Sequence, residues 1–162
     1  IYTYSLELNL ADEVLSAYLN SAFWGALTLG RLISIPLAGK YRGRTLMTIN
    51  FIGAVLSLAL LIIGQSSFAL VMAGCIGLGL SVASMFPTMM AIAARRMTIT
   101  ARIGGLFLAG AALGGMSMPW LIGQLIENQG PALLFYVVSG LLALTYIFFR
   151  LVIQKDPDDA VA

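Results

Sequence analysis

The sequence predicts an all-α membrane protein with five transmembrane helices, and three observations support this prediction. Of the 162 residues, 60% are hydrophobic and only 10% are charged, whereas an ordinary soluble domain is about 45–50% apolar and about 25% charged. The charged residues are concentrated in short segments that separate five uncharged or nearly uncharged runs. Each run is close to the roughly 20 residues that a helix needs to cross about 30 Å of hydrocarbon.

The predicted spans are joined by short connectors. In chain order the spans cover residues 14–38, 46–64, 68–94, 103–126 and 132–153. The connectors read GKYRGRT, QSS, RRMTITAR and ENQGP, which leaves no room for a soluble domain, so we expect a single transmembrane domain over residues 1–162. The opening segment begins with Ile1 and lacks the basic start and apolar run of a signal peptide. We expect the natural protein to extend further toward its N-terminus.

The placement of charges predicts the orientation of the spans. The basic residues lie at one end of the spans if Arg31 is counted with the cluster that follows it: Arg31, Lys40, Arg42, Arg44, Arg95, Arg96, Arg102, Arg150 and Lys155. The positive-inside rule assigns that end to the cytoplasm. Most acidic residues fall at the other end, and those of the C-terminal tail count for little in this rule. We therefore expect a cytoplasmic C-terminus.

The composition argues against catalysis and against nucleic-acid binding. The chain has no histidine, so it can form neither a Ser/His nor a Cys/His pair, nor a metal site that uses histidine. The single cysteine, Cys75, is interpreted as a small apolar residue within a helix. A net charge of +2 is too small to indicate a nucleic-acid partner. We expect no catalytic residues, no bound metal and no cofactor.

A polar stripe runs along the first span. Asn20, Trp24, Thr28 and Arg31 follow the helical spacing i, i+4, i+8 and i+11, so they share one face. A polar face in lipid must contact protein or water, which leaves two interpretations: a solute path or a helix contact joined by polar groups. Trp24 favours the solute path because a large indole is poorly suited to close helix contact. Asn20, Trp24 and Thr28 are therefore candidate solute-binding residues.

Arg31 lies deep in the first span. It precedes Gly39 by eight residues, which corresponds to about 12 Å of helix rise. A long side chain can reach part of that distance toward the surface. The other interpretation is a cytoplasmic gate, in which Arg31 holds backbone carbonyls, water, the acidic tail or a partner outside this chain.

The third and fourth spans combine small, hydroxyl-bearing and proline residues. In the third, Ser81, Ser84 and Thr88 share a face close to Pro87, and Ala73, Gly77 and Ser81 form a ridge of small residues. The fourth span carries Ser117 on one flank with Trp120 and Gln124, and glycines that favour a tight interface at Gly110 and Gly114. Ser81, Ser84 and Ser117 are further candidates for solute binding. The candidates for gating are Arg31, Pro87 and Pro119. The two prolines are included because proline removes a backbone hydrogen bond and can kink a helix.

These motifs resemble the second half of a major facilitator superfamily transporter. The resemblance covers nearly the whole chain and is carried by IYTYS, YLNSAFWGALTLGRLISIP, GLGLSVASMFPT and GAALGGMSMP. Within the superfamily, the motifs are similar to the sodium-dependent glucose transporter-like branch, which is related to the bacterial fucose permeases. The resemblance implies that the five helices form most of one six-helix bundle, and that two such bundles surround a central solute path.

The resemblance also implies a function and partners. It implies a transporter of the plasma membrane that works by alternating access, for a sugar or sugar-like solute. The implied partners are the solute, membrane lipid and a missing N-terminal half. The resemblance also implies that transport can be coupled to Na⁺ or H⁺. However, Gly115 stands where relatives in the branch have an acidic residue, so sodium dependence is not assumed. The loop LAGKYRGRT also departs from the superfamily pattern, because Gly39 replaces the expected acid.

Two alternative functions remain open at this point. The chain fits a truncated or non-transporting membrane protein with a packing role. It also fits an organic-anion transporter, in which Arg31 is the binding charge.

Overall fold

The computed structural model describes residues 13–129 and 133–154, and the regular structure of these residues is entirely helical. Its helices are α1 Glu13–Lys40, α2 Gly43–Ile63, α3 Phe68–Val82, α4 Met85–Arg96, α5 Ala101–Gln129 and α6 Leu133–Gln154. α3 and α4 are separated only by Ala83 and Ser84, so they form one continuous apolar segment.

Five segments of the described residues are long and apolar enough to cross a membrane. They are Val14–Lys40, Gly43–Ile63, Phe68–Arg96, Ala101–Gln124 and Leu133–Ile153. The all-α fold class with five membrane-spanning helices is therefore confirmed. The bounds differ from those predicted by a few residues, because helical hydrogen bonding continues into the polar connectors.

α3 is the centre of the bundle, since it packs against α1 on one side and α2 on the other. A buried apolar cluster joins these three helices and the start of α6: Leu19, Leu58, Leu61, Val71, Cys75 and Phe135. A second cluster lies near the other end of α2 and α6, where the rings of Phe51 and Phe149 have centroids 5.5 Å apart. Cys75 is buried among apolar side chains, as its sequence context suggests.

Small residues allow α3 to approach both of its neighbours closely. A Cβ atom added at Gly77 would lie 2.5 Å from the Ser57 Oγ, and one added at Gly53 would lie 2.5 Å from the Ser81 Oγ. In this antiparallel pair, a glycine of each helix therefore packs against a serine of the other helix. The small-residue ridge is confirmed at Gly77 and Ser81, which contact α2, whereas Ala73 is exposed.

α5 is the least covered helix. Its main contact among the described helices is a small one with α6, and every described side chain from residue 101 to 124 is at least partly exposed. A Cβ atom added at Gly110 or Gly114 would meet no atom within 4 Å. The tight interface predicted at these two glycines is therefore not formed within the described residues.

Candidate functional site

The polar stripe of α1 lies on an exposed face of the bundle. The side of α1 that contacts α3 is marked by buried Leu19, Ala26 and Gly30. At about 100° per residue, the stripe is centred roughly 135° around the helix axis from that packed side. Its four residues, Asn20, Trp24, Thr28 and Arg31, are all exposed. The described helices therefore leave this face open.

Three of these side chains offer complementary chemistry. The Asn20 amide, with donors and an acceptor, makes no hydrogen bond to another described residue. The Thr28 Oγ1 donates its hydroxyl proton to the Trp24 backbone oxygen at 2.9 Å. The lone pairs of the Thr28 Oγ1 remain able to accept a hydrogen bond from a solute. The Trp24 indole is 58% exposed and meets the Phe23 ring edge-on, with centroids 5.6 Å apart. The face combines an amide, an acceptor and an apolar ring surface.

The Arg31 guanidinium extends the same face toward the predicted cytoplasmic end. It forms no ion pair or hydrogen bond with another residue in the described parts of the chain, while its backbone oxygen accepts from the Ser34 Oγ at 2.7 Å. A carbonyl partner is therefore not found among residues 13–129 and 133–154, and the acidic tail lies outside the described residues. A cation within a membrane span is costly unless it reaches water or a partner.

The hydroxyls of the third span face α2. The Ser81 Oγ donates to the Gly77 oxygen at 2.7 Å. Ser84 is buried, with 6% of its surface exposed, and its Oγ accepts a hydrogen bond from the Asn50 Nδ2 at 2.7 Å. These two solute-binding candidates therefore contact α2 within the bundle. The structure does not bring them together with the polar stripe of α1.

The remaining candidates lie on α4 and α5. Pro87 is exposed in the first turn of α4, where a missing N–H is tolerated. Pro119 is exposed inside α5, which continues beyond it. Ser117 is exposed on the side of α5 that also carries Trp120 and Gln124, and Trp120 is 66% exposed. α5 thus presents a second open polar face.

Two further arrangements were not predicted from the sequence. Asn50 bonds to Ser84, as described above; its only sequence signal is a single amide beside a long apolar run. Near the predicted cytoplasmic end, the Arg44 Nη2 donates to the Ile153 oxygen at 2.8 Å and the Arg96 Nη1 donates to the Val152 oxygen at 2.7 Å. We name Arg44 and Arg96 the arginine clasp.

The arginine clasp acts on the last turn of α6. Helix-terminal carbonyls have no intrahelical partner and carry the negative end of the helix dipole. Two guanidinium groups from the start of α2 and the end of α4 are well matched to them. The clasp therefore ties the ends of three helices together.

The described residues contain no group of three or more histidine, cysteine, aspartate or glutamate side chains that could hold a metal ion. What the structure does contain is a membrane-spanning helical bundle with two open faces that carry polar and aromatic side chains. Such an arrangement defines an integral membrane protein of the polytopic helical class.

The family follows from comparison with known proteins. The Major Facilitator Superfamily profile matches residues 1–162. The chain therefore belongs to this superfamily.

Individual relatives agree with the branch suggested by the sequence motifs. The chain is 31% identical over 158 residues to human major facilitator superfamily domain-containing protein 4A, covering 96% of this chain and 31% of the relative. It is 36% identical over 132 residues to the protein of that name from Xenopus tropicalis, covering 80% and 26%. It is 32% identical over 150 residues to sodium-dependent glucose transporter 1 of Danio rerio, covering 92% and 25%.

These relatives are much longer than the chain, which spans 31% of the human protein's length. No solved structure matches the chain significantly. The family profile and the relatives together confirm the superfamily and the resemblance to the glucose transporter-like branch.

Proposed function

We propose that this chain is the C-terminal portion of a secondary or facilitative transporter that moves a sugar or sugar-like solute by alternating access. The observation that carries the proposal is the open polar face of α1, where the Asn20 amide, which has no partner among the described residues, lies beside the exposed Trp24 indole. The family supports a solute transporter, and the name of the Danio rerio relative supports a sugar.

The chemistry of the face fits a sugar. A pyranose ring has an apolar side that can stack on an indole and hydroxyls that both donate and accept hydrogen bonds. The Asn20 amide supplies both kinds of partner, while Thr28, whose proton bonds to Trp24, supplies an acceptor. Ser117, on the open face of α5, is a weaker candidate for the same solute, whereas Ser81 and Ser84 contact α2 within the bundle.

The remaining part of the solute path comes from elsewhere in the protein. Because the chain spans only 31% of its human relative, we propose that an N-terminal half supplies the opposite wall. Residues 14–126 contain no aspartate or glutamate. A coupling site for Na⁺ or H⁺ that uses a membrane carboxylate would therefore lie on the other half.

We propose that the protein resides in the plasma membrane with its C-terminus in the cytoplasm. The basic connectors support this orientation. Arg31 then lies on the cytoplasmic side of Asn20 and Trp24, where it serves as a gate; Pro87 and Pro119 give the neighbouring helices points at which to bend.

The deciding experiment is an uptake screen with the complete gene product in proteoliposomes. Labelled hexoses and polyols are compared with labelled carboxylates, with and without Na⁺ and H⁺ gradients. Saturable uptake that unlabelled hexose inhibits and carboxylate does not would support the proposal. Absence of uptake for every solute would instead support a membrane protein with a packing role.

A second candidate function is organic-anion transport, which the Arg31 guanidinium favours because it has no partner within the described part of the chain. In that case Arg31→Gln abolishes binding, and the KM for a carboxylate depends on the positive charge. If Arg31 is a gate for a neutral solute, Arg31→Ala changes the rate of transport and leaves solute competition unchanged. Full transport by Arg31→Ala would refute both roles.

A further inference from the structure

The break between α3 and α4 is fixed by the sequence. Pro87 has no N–H, so the hydrogen bond from residue 87 to the Ala83 oxygen that a continuous helix requires cannot form. The next helical bond runs from the Thr88 nitrogen to the Ser84 oxygen at 3.0 Å. Ala83 and Ser84 therefore stand between two helices, and both are buried.

α2 holds the break from one side. The Asn50 Nδ2 donates to the Ser84 Oγ at 2.7 Å, whereas the Ser84 side chain makes no capping bond to its own helix. Other hydroxyls in the same interface behave differently: the Ser57 Oγ donates to the Gly53 oxygen within α2 at 2.8 Å. The Asn50–Ser84 bond thus fixes the break relative to α2.

α1 meets the break from the other side. A Cβ atom added at Gly30 would lie 2.7 Å from the Ala83 Cβ and 3.0 Å from the Leu80 oxygen. α1 and the end of α3 are therefore in backbone contact at this point. The next residue along α1 is Arg31, on the open polar face. A displacement of Ala83 toward α1 would therefore push against the backbone next to Arg31.

We infer that Asn50 is a positioning residue for transport. Its bond to Ser84 fixes the break between α3 and α4. The contact between Ala83 and Gly30 then couples the position of this break to the position of Arg31 on α1. This inference rests on the proposed transport function, and it assigns Ser84 to the support of the gate instead of the solute.

The first test is kinetic and uses the complete gene product. Asn50→Ala and Ser84→Ala should each lower the maximal uptake rate at least fivefold and change KM less than twofold. The double variant should be no slower than either single variant, because both remove the same bond. Ser84→Thr, which keeps the hydroxyl, should retain the rate.

The matched control is Ser57→Ala, which removes a buried hydroxyl from the same interface without touching the break. Its uptake rate should stay within twofold of the parent's, with equal amounts of protein in the membrane. A rise in KM for Ser84→Ala, or equal losses in Ser57→Ala and Asn50→Ala, would overturn the inference.

A second test does not need a known solute. In the complete gene product with Cys75→Ala and every other cysteine replaced, Arg31→Cys is labelled with a membrane-impermeant thiol reagent from the predicted cytoplasmic side. Adding Asn50→Ala should change the labelling rate at least threefold, whereas adding Ser57→Ala should not. An unchanged rate with Asn50→Ala refutes the coupling even if the protein transports nothing. A changed rate without uptake of any solute supports the coupling and refutes the transport function.

Discussion

Trp24 carries the aromatic surface of the polar stripe on α1. Its indole is held by the helix backbone and by Phe23, yet more than half of its surface is open. A large aromatic surface in this position is useful to a membrane protein only if it faces lipid, another helix or a ligand. The neighbouring Asn20 amide makes lipid a poor environment for this face.

The first prediction concerns Trp24. In the complete transporter, Trp24→Ala should raise the KM for a ring-shaped solute about five- to tenfold, because loss of a stacking contact removes on the order of 1–1.4 kcal/mol of binding free energy. The measurement is the concentration dependence of uptake.

Tyr18 offers a matched control for this prediction. It lies on the same helix with 61% of its side chain exposed, but it faces roughly 120° away from Trp24. Tyr18→Ala should leave KM unchanged. Equal effects of the two substitutions would mean that Trp24 acts through the stability of the helix.

At the residue scale, the sequence predicted which side chains of α1 share a face, because helical periodicity fixes this without knowledge of the neighbours. It did not predict Asn50, since one amide beside an apolar run has no periodicity. It also treated Arg44 as a topological charge only. The bond from Arg44 to Ile153 joins residues 109 positions apart. Such long-range contacts cannot be predicted from the local sequence.

At the element scale, the sequence predicted the helices but not which helix each helix face contacts. Length and apolar composition defined the spans, and Pro87 correctly indicated an interruption in the third. The face of the third span that carries Ser81 and Ser84 was ambiguous. Small polar residues suit both a solute path and a close helix contact, and only the position of α2 shows that these hydroxyls contact that helix.

The second prediction concerns the crossing of α1 and α3. A Cβ atom added at Gly79 would lie 2.7 Å from the Phe23 backbone oxygen and 3.0 Å from the Ala26 Cβ. Because backbone cannot rotate away as a side chain can, Gly79→Ala should separate the helices and lower the free energy of unfolding by about 1–3 kcal/mol. Thermal unfolding in detergent measures this change.

Gly25→Ala is the comparison for Gly79→Ala. Gly25 is also helical, and an added Cβ there would meet no described atom within 4 Å. Both substitutions gain similar helix propensity, up to about 1 kcal/mol. The difference in melting temperature therefore reports the helix crossing, and no difference would contradict the close contact.

At the scale of the whole molecule, the third prediction concerns the arginine clasp. Arg44→Ala and Arg96→Ala should each lower the free energy of unfolding by about 0.5–1.5 kcal/mol, because carbonyls at the end of α6 lose a charged donor. Arg42→Ala and Arg95→Ala are their controls. Each removes an exposed arginine next to the clasp in sequence, so topology-setting charge falls equally in all four variants.

The expected outcome is a loss of thermal stability in the two clasp variants alone. If all four variants lost stability equally, general charge would be responsible, and the specific bonds to α6 would have no separate effect. Reporter tags at the C-terminus would show whether each variant keeps the parental orientation.

The position of α3 between α1 and α2 has a consequence for biosynthesis. These helices are consecutive, so their contacts can form as soon as α4 has left the ribosome and entered the translocon, before α5 enters the membrane. α5 and α6 are then added to an assembled three-span unit. A nascent chain arrested while α5 is still inside the ribosome should already protect the Gly79–Ala26 crossing from cross-linking to lipid. In the full-length chain, α5 should stay accessible to lipid until its other neighbours arrive.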